Sequence, residues 1–181
     1  MTMNYHNITH DDVLNGDGFR VVLWVAGCEH HCKGCQNPCT WNVNSGIPFT
    51  DEEVKEIFYE LDKPTTSGIT YSGGDPMHSN NIPTLIQLTH MIKKKYPNAT
   101  IWSYTGGTWE NLIQDTQAFE LIKLLDVLVD GEYIEELRDT SLAWVGSSNQ
   151  RVIDVQATLL QLDYSKPILH CGPHGELDNF D

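Results

Sequence analysis

Residues 21–39 read VVLWVAGCEHHCKGCQNPC: an apolar, β-rich run, a glycine, and then four cysteines within twelve positions. A near-continuous apolar run of this kind is a strand covered on both faces, and the cysteine-bearing segment after it is a loop at the strand's C-terminal end. The same grammar recurs at Ile69–Gly74 (ITYSGG), Thr100–Gly106 (TIWSYTG) and Val127–Gly131 (VLVDG). Helical patterns lie between these runs. In FTDEEVKEIFYELDK, Thr50 and Glu53 make a capping-box pair, and Val54, Ile57, Phe58 and Leu61 form one apolar stripe. Ile82–Lys95 reads as a second helix, with Lys93, Lys94 and Lys95 at its negative end before Pro97. A third is expected over about 118–125.

Strand and helix in alternation signal parallel β/α units. A complete eight-unit barrel takes about 250 residues. With 181 residues, the expectation is an α/β chain forming a partial, open β/α barrel of about five or six units. Chemistry in such folds gathers where strands end. GCEHHC, SGGDP, YTGG and DGEY all begin at strand ends, so one face is expected to collect them. No repeat, low-complexity tract or linker is visible, so 1–181 reads as a single domain. A mobile tail is expected from about residue 170, where the sequence turns polar.

Eleven Lys and Arg against 25 Asp and Glu give a formal charge of −14, the wrong sign for a protein that binds by neutralising phosphates. The sequence has neither a signal-peptide pattern at its start nor an apolar run of membrane-spanning length. The five cysteines are odd in number and clustered, unlike a secreted disulfide framework. These features point to the cytoplasm and to a metal.

Cys28, Cys32 and Cys35 are spaced C-x3-C-x2-C, with Cys39 three residues on. Three such thiolates can wrap one face of an iron–sulfur cube. One alternative is a closed four-cysteine cluster that uses Cys39 and shuttles electrons. Its usual C-x2-C-x2-C-x3-C-P spacing is missed in the first gap and at Thr40. The other is structural zinc, which takes ligands from two arms, with Cys171 and His174 as the candidate second arm. A three-cysteine site differs from both in leaving one iron open to another ligand.

C-x3-C-x2-C after the first apolar strand resembles the radical S-adenosylmethionine superfamily, and GGDP (Gly73 to Pro76) resembles the motif with which that superfamily holds the methionine amino group. Taken with MNYH, NGDGFR (Asn15 to Arg20), GCEHHCKGCQNPCTW, TWE, VLVDGEY and GSSNQRVID, the chain is similar to the family of activating enzymes of anaerobic ribonucleoside-triphosphate reductases. These signatures run in order from residue 3 to about residue 154. Most of the superfamily has an aromatic residue before the third cysteine; this chain has Gly34, as that narrower family does. Where an aromatic is expected in TGYT it has Gly107, which offers no side chain for an adenine contact.

The resemblance implies that Cys28, Cys32 and Cys35 bind three irons of a 4Fe-4S cluster and that S-adenosylmethionine chelates the fourth. Reductive cleavage of the sulfonium then yields a 5′-deoxyadenosyl radical, which removes hydrogen from a glycine Cα on the large subunit of the reductase. A low-potential electron donor such as a flavodoxin is the second implied partner. Gly73 and Gly74 let the backbone approach a ligand closely. Asp75 faces the ligand's cationic end or caps the next turn. Gly34, Cys35 and Gln36 pass the adenine or methionine end of the cofactor, and Asp130 meets a ribose hydroxyl or is a solvated loop carboxylate. His30 and His31 read as loop residues or as residues that support the ligands from behind, Cys39 as a nearby thiol outside the ligand set. GSSNQR (Gly146 to Arg151) reads as a polar loop whose role is not legible. The other target in this class is a different glycyl-radical enzyme, such as a formate-lyase.

Overall fold

Each of the four apolar runs is a strand, and helices join them. A computed structural model describes residues 3–176. Along the chain come β1 (Asn4–Asp12), β2 (Phe19–Val25), a 3-10 turn at Pro38–Thr40 and β3 (Ile47–Pro48). Next are α1 (Asp51–Leu61), β4 (Thr66–Gly73), α2 (Ile82–Lys95) and β5 (Thr100–Tyr104). The remainder is α3 (Trp109–Leu112), α4 (Thr116–Ile122), β6 (Val127–Asp130), a 3-10 turn at Glu135–Leu137, β7 (Arg151–Asp154), α5 (Val155–Leu159) and β8 (Ile168–Leu169).

One eight-stranded sheet has the order β3-β1-β2-β4-β5-β6-β7-β8. Its centre, β2, β4, β5 and β6, is parallel. Both flanks are antiparallel: β1 pairs with β2 and β3, and β7 with β6 and β8. The fold is therefore mixed α/β. Four strands carry the parallel β/α pattern, because β7 returns from β6 through an irregular segment instead of a helix and so runs antiparallel.

The period-2 alternation of each central strand splits the core. Val21, Leu23 and Val25, with Ile69, Tyr71, Ile101 and Leu128, pack under the helices against Ile57, Leu85, Leu88, Ile92 and Leu121. The other face is less covered. Trp102, Val127, Val129 and Val152 form a smaller core there with Cys171, backed by Tyr104, Trp144 and Val145. Residues 170–176 belong to this covering: the His170 N–H donates to Val152 O, and the Ala143 N–H donates to Pro173 O. The tail expected from residue 170 is thus packed over its first part, and 177–181 lie outside the described residues. Among the described residues, no helix is long and apolar enough to cross a membrane.

The capping box expected at α1 is present. Thr50 Oγ1 accepts from Glu52 N at 3.3 Å, and Glu53 Oε2 accepts from Thr50 N at 2.6 Å. Thr50→Ala is expected to cost about 1 kcal/mol, seen as a lower urea midpoint with an unchanged slope.

Candidate functional site

The cysteine loop leaves β2 with its base closed. Gly27 N–H donates to Thr40 O at 2.7 Å and Cys28 N–H to Trp41 O at 3.0 Å, so residues 28–39 project as one loop. The GGDP loop is stitched to the same strand end: Gly74 N–H donates to Val25 O at 2.8 Å and Asp75 N–H to Gly27 O at 2.7 Å. Gly73 sits at φ +96°, and a Cβ on Gly74 would lie 2.5 Å from Gly27 O, so this approach requires glycine. Asn81, fully buried, donates from its one amide nitrogen to both Ala26 O and Asp75 O at 2.9 Å.

Between these loops opens a cavity of about 730 Å³ on the sheet face away from the helices. Cys28, Cys32 and Cys35 line it, with Gln36 beside them and Gly73, Gly74 and Asp75 from the GGDP loop. Tyr104, Thr105 and Gly106 from the end of β5 and Gly131 and Tyr133 from beyond β6 complete that end. Cys39 is exposed and is not among the lining residues. Cys171 lies in the smaller core, in a different place from the cysteine loop.

Asp75 does two jobs. Its Oδ1 caps the next turn through Met77 N–H at 2.8 Å, and its Oδ2 meets His30 Nε2 at 2.8 Å. That bond raises the His30 pKa. The ring also lies against Gly106, where a Cβ would be 2.5 Å from it. His30 therefore ties the cysteine loop to the GGDP and TGG loops. His31, by contrast, is exposed and packs edge-on against Trp41.

Asp130, expected as a ribose contact or a solvated loop carboxylate, is not solvated but buried in an ion pair. Its buried carboxylate accepts from Arg151 Nε at 2.9 Å and from Trp109 N–H at 2.7 Å, and it borders a neighbouring depression, not the cysteine cavity. Arg151 reaches on to Glu110 with two bonds of 2.9 Å. TWE, VLVDGEY and GSSNQR thus meet in one ion-pair group. Gly34 lies off the lining at φ +77°, where a Cβ would be 2.1 Å from Glu135 Oε2. Glu135 is an exposed, flexible side chain, so it is the positive φ that disfavours an aromatic residue there.

Burial raises the Cys28 thiol pKa and pushes that of Cys32 up to about 11, with the carboxylate of Glu132 acting in the same direction. Thiols so placed are neutral alone and become ligands when a metal displaces the proton. Among the described residues no three His, Cys, Asp or Glu side chains converge on a single ion. The three cysteines instead surround one end of a roomy cavity. A soft, three-thiol donor set around such a space fits an iron–sulfur cluster better than one zinc ion.

The chain matches the family of 4Fe-4S single cluster domains over residues 14–153. The anaerobic ribonucleoside-triphosphate reductase-activating protein of Escherichia coli K12 is 42% identical over 152 residues, 83% of this chain and 97% of that protein. The proteins of that name from Vibrio cholerae and Enterobacteria phage T4 are 43% and 41% identical over 150 residues each. They are matched over 96% and 93% of their length, with 82% and 83% of this chain. Among solved structures, the crystal structure of QueE from Escherichia coli has a TM-score of 0.43 at 16% identity, over 59% of this chain and 53% of that one.

Proposed function

The chain belongs to the family of anaerobic ribonucleoside-triphosphate reductase-activating proteins, and from that premise we propose that Cys28, Cys32 and Cys35 hold three irons of its 4Fe-4S cluster. Bound there, the cluster and S-adenosylmethionine would supply the reductive cleavage of the sulfonium that leads to a glycyl radical on the reductase. The observation that carries the site assignment is the meeting of three cysteines and the GGDP loop in one cavity that Cys39 does not line.

The chain's own part is positioning and exclusion of water. Gly73 and Gly74 bring main chain close to where the methionine end would lie, and Asp75 offers a carboxylate already held by His30 and the Met77 N–H. Gln36 and Gly34 flank the third ligand, Gln36 on the cavity wall. Asp130 acts at one remove, fixing Arg151 and the start of α3. The chain works as a single domain whose sheet curves as an open partial barrel, the reductase covering its mouth. We place it in the cytoplasm, where a low-potential donor such as a flavodoxin reduces the cluster.

The test is anaerobic reconstitution with iron and sulfide, reduction, and addition of S-adenosylmethionine and the reductase. The expected products are 5′-deoxyadenosine and a glycyl-radical signal on the reductase; a fully loaded cluster that leaves the cofactor intact would refute the proposal. Flavodoxin in place of a chemical reductant tests the donor. Gly74→Ala is expected to push the GGDP loop off Gly27 O and weaken S-adenosylmethionine binding about tenfold or more, read from equilibrium binding to the loaded protein with its iron content unchanged.

A further inference from the structure

GSSNQR has no legible role in the sequence, and in the fold Arg151 pairs with Asp130 and Glu110 while groups from Ser147 to Gln150 reach the segment immediately after β6. The Gln150 amide oxygen accepts from Gly146 N–H at 2.9 Å and Ser147 N–H at 3.2 Å, while its nitrogen donates to Gly131 O at 2.9 Å. Asn149 Nδ2 donates to Glu132 O at 2.8 Å. The buried Ser147 Oγ accepts from Ile134 N–H at 3.2 Å, and Ser148 N–H donates to Leu137 O at 2.9 Å.

The segment so held is the wall against the second half of the cysteine loop. Tyr133 lines the cavity with Cys32 and Cys35. Its hydroxyl donates to Glu135 Oε2 at 2.6 Å, the carboxylate that fills the space left by the missing Cβ of Gly34. Lys33 Nζ reaches Glu136 at 2.8 Å.

We propose that Gly146–Arg151 is a clamp that sets where the 131–136 turn lies against Cys32, with Gln150 as its positioning residue, and thereby tunes the cluster bound there. This rests on the cysteine assignment above. Main-chain and side-chain groups around a ligating sulfur set the reduction potential of a cluster, so a shift of the turn changes that potential. Gln150 suits the task because its amide accepts on one side of the loop and donates on the other. Glutamate keeps only the first function, and alanine neither.

The experiment compares wild type with Gln150→Ala, Gln150→Glu and Asn149→Ala. In metal-free protein kept anaerobic, each cysteine is alkylated and followed by mass spectrometry. The loaded proteins are then measured for iron content, midpoint potential and electron paramagnetic resonance of the reduced cluster. In Gln150→Ala, Cys32 is expected to label severalfold faster with Cys39 unchanged and Cys171 still protected. Iron content stays near wild type, while the potential and g-values shift. Gln150→Glu moves the same way, since it sets a carboxylate against Gly131 O. Should Gln150→Ala expose Cys171 as well, the fold has loosened, and Asn149→Ala, which loses one surface bond, must show the Cys32 change alone in smaller measure. Wild-type labelling and wild-type spectra in both the alanine and glutamate variants would overturn the clamp. Failure of the wild type to cleave S-adenosylmethionine would sink the proposed function, with the labelling still deciding the clamp.

Discussion

Alanine at Cys28, Cys32 or Cys35 is expected to abolish cluster loading and cofactor cleavage, whereas alanine at Cys39 leaves both within about twofold of wild type. The contrast comes from placement. Changing a group that merely supports a metal ligand typically costs about 10–100-fold in affinity or activity, and removing one of three ligands costs more. Cys28, Cys32 and Cys35 border the cavity, while Cys39 sits outside its lining, exposed in the middle of the 3-10 turn at Pro38–Thr40. Substitutions at such exposed sites usually stay within about 0.5 kcal/mol. A closed four-cysteine cluster predicts the opposite for Cys39. Iron and sulfide content after anaerobic reconstitution, with 5′-deoxyadenosine yield, separates the two; loss of iron in Cys39→Ala would defeat the open-cluster assignment.

How much of this was legible depended on where each residue's partners lie. β2, β4, β5 and β6 announce themselves because burial on both faces demands apolar runs, and α1 and α2 because caps and stripes are local. β1 hides for the converse reason. Its NYHNITHDD buries Tyr5 and Ile8, and pairing irregularities after Tyr5 and Thr9 break the period of two. β3 and β8 are two residues each, too short for any pattern. The expectation of five or six β/α units fails after β6, since nothing local says that the 131–150 segment returns without a helix. In the site, the cysteines and GGDP are legible because ligand spacing and glycine are chemical signatures. Asn81 and Gln150 are not, and the partner of His30 is not, because each depends on a bond to a segment far along the chain: Ala26, Gly131 and Asp75.

The largest loss of stability is expected at Arg20, the last residue of NGDGFR. Its side chain is fully buried on the sheet face opposite the helices, 5.3 Å from the centre of the Trp102 ring. Five hydrogen bonds fan out from it. Nε donates to Thr70 Oγ1 at 2.7 Å; Nη1 donates to Asp17 O and Thr100 Oγ1; Nη2 donates to Ile69 O and Thr100 O. One residue thereby joins β2, β4 and β5 at the end of the sheet away from the cysteines. Its hydrogen-bond partners are hydroxyls and main-chain carbonyls, and burial pulls its pKa down to about 10, so it remains charged at neutral pH. Charge-assisted bonds of this kind contribute about 1.5–3 kcal/mol each, against a desolvation cost of several kcal/mol for the buried ion. The bonds outweigh the cost, and removing the guanidinium strands several buried acceptors around a void. Arg20→Ala is therefore expected to destabilise by about 3–5 kcal/mol, roughly a 10 °C fall in Tm for a domain of this size. Lysine does not rescue it, because one ammonium cannot reach acceptors spread over three strands. Thermal unfolding under reducing, anaerobic conditions reads the effect, and iron loading of the remaining folded protein at low temperature is expected to survive. A Tm within about 2–3 °C of wild type in Arg20→Ala would show that the acceptors find other partners and that Arg20 does not hold the sheet together.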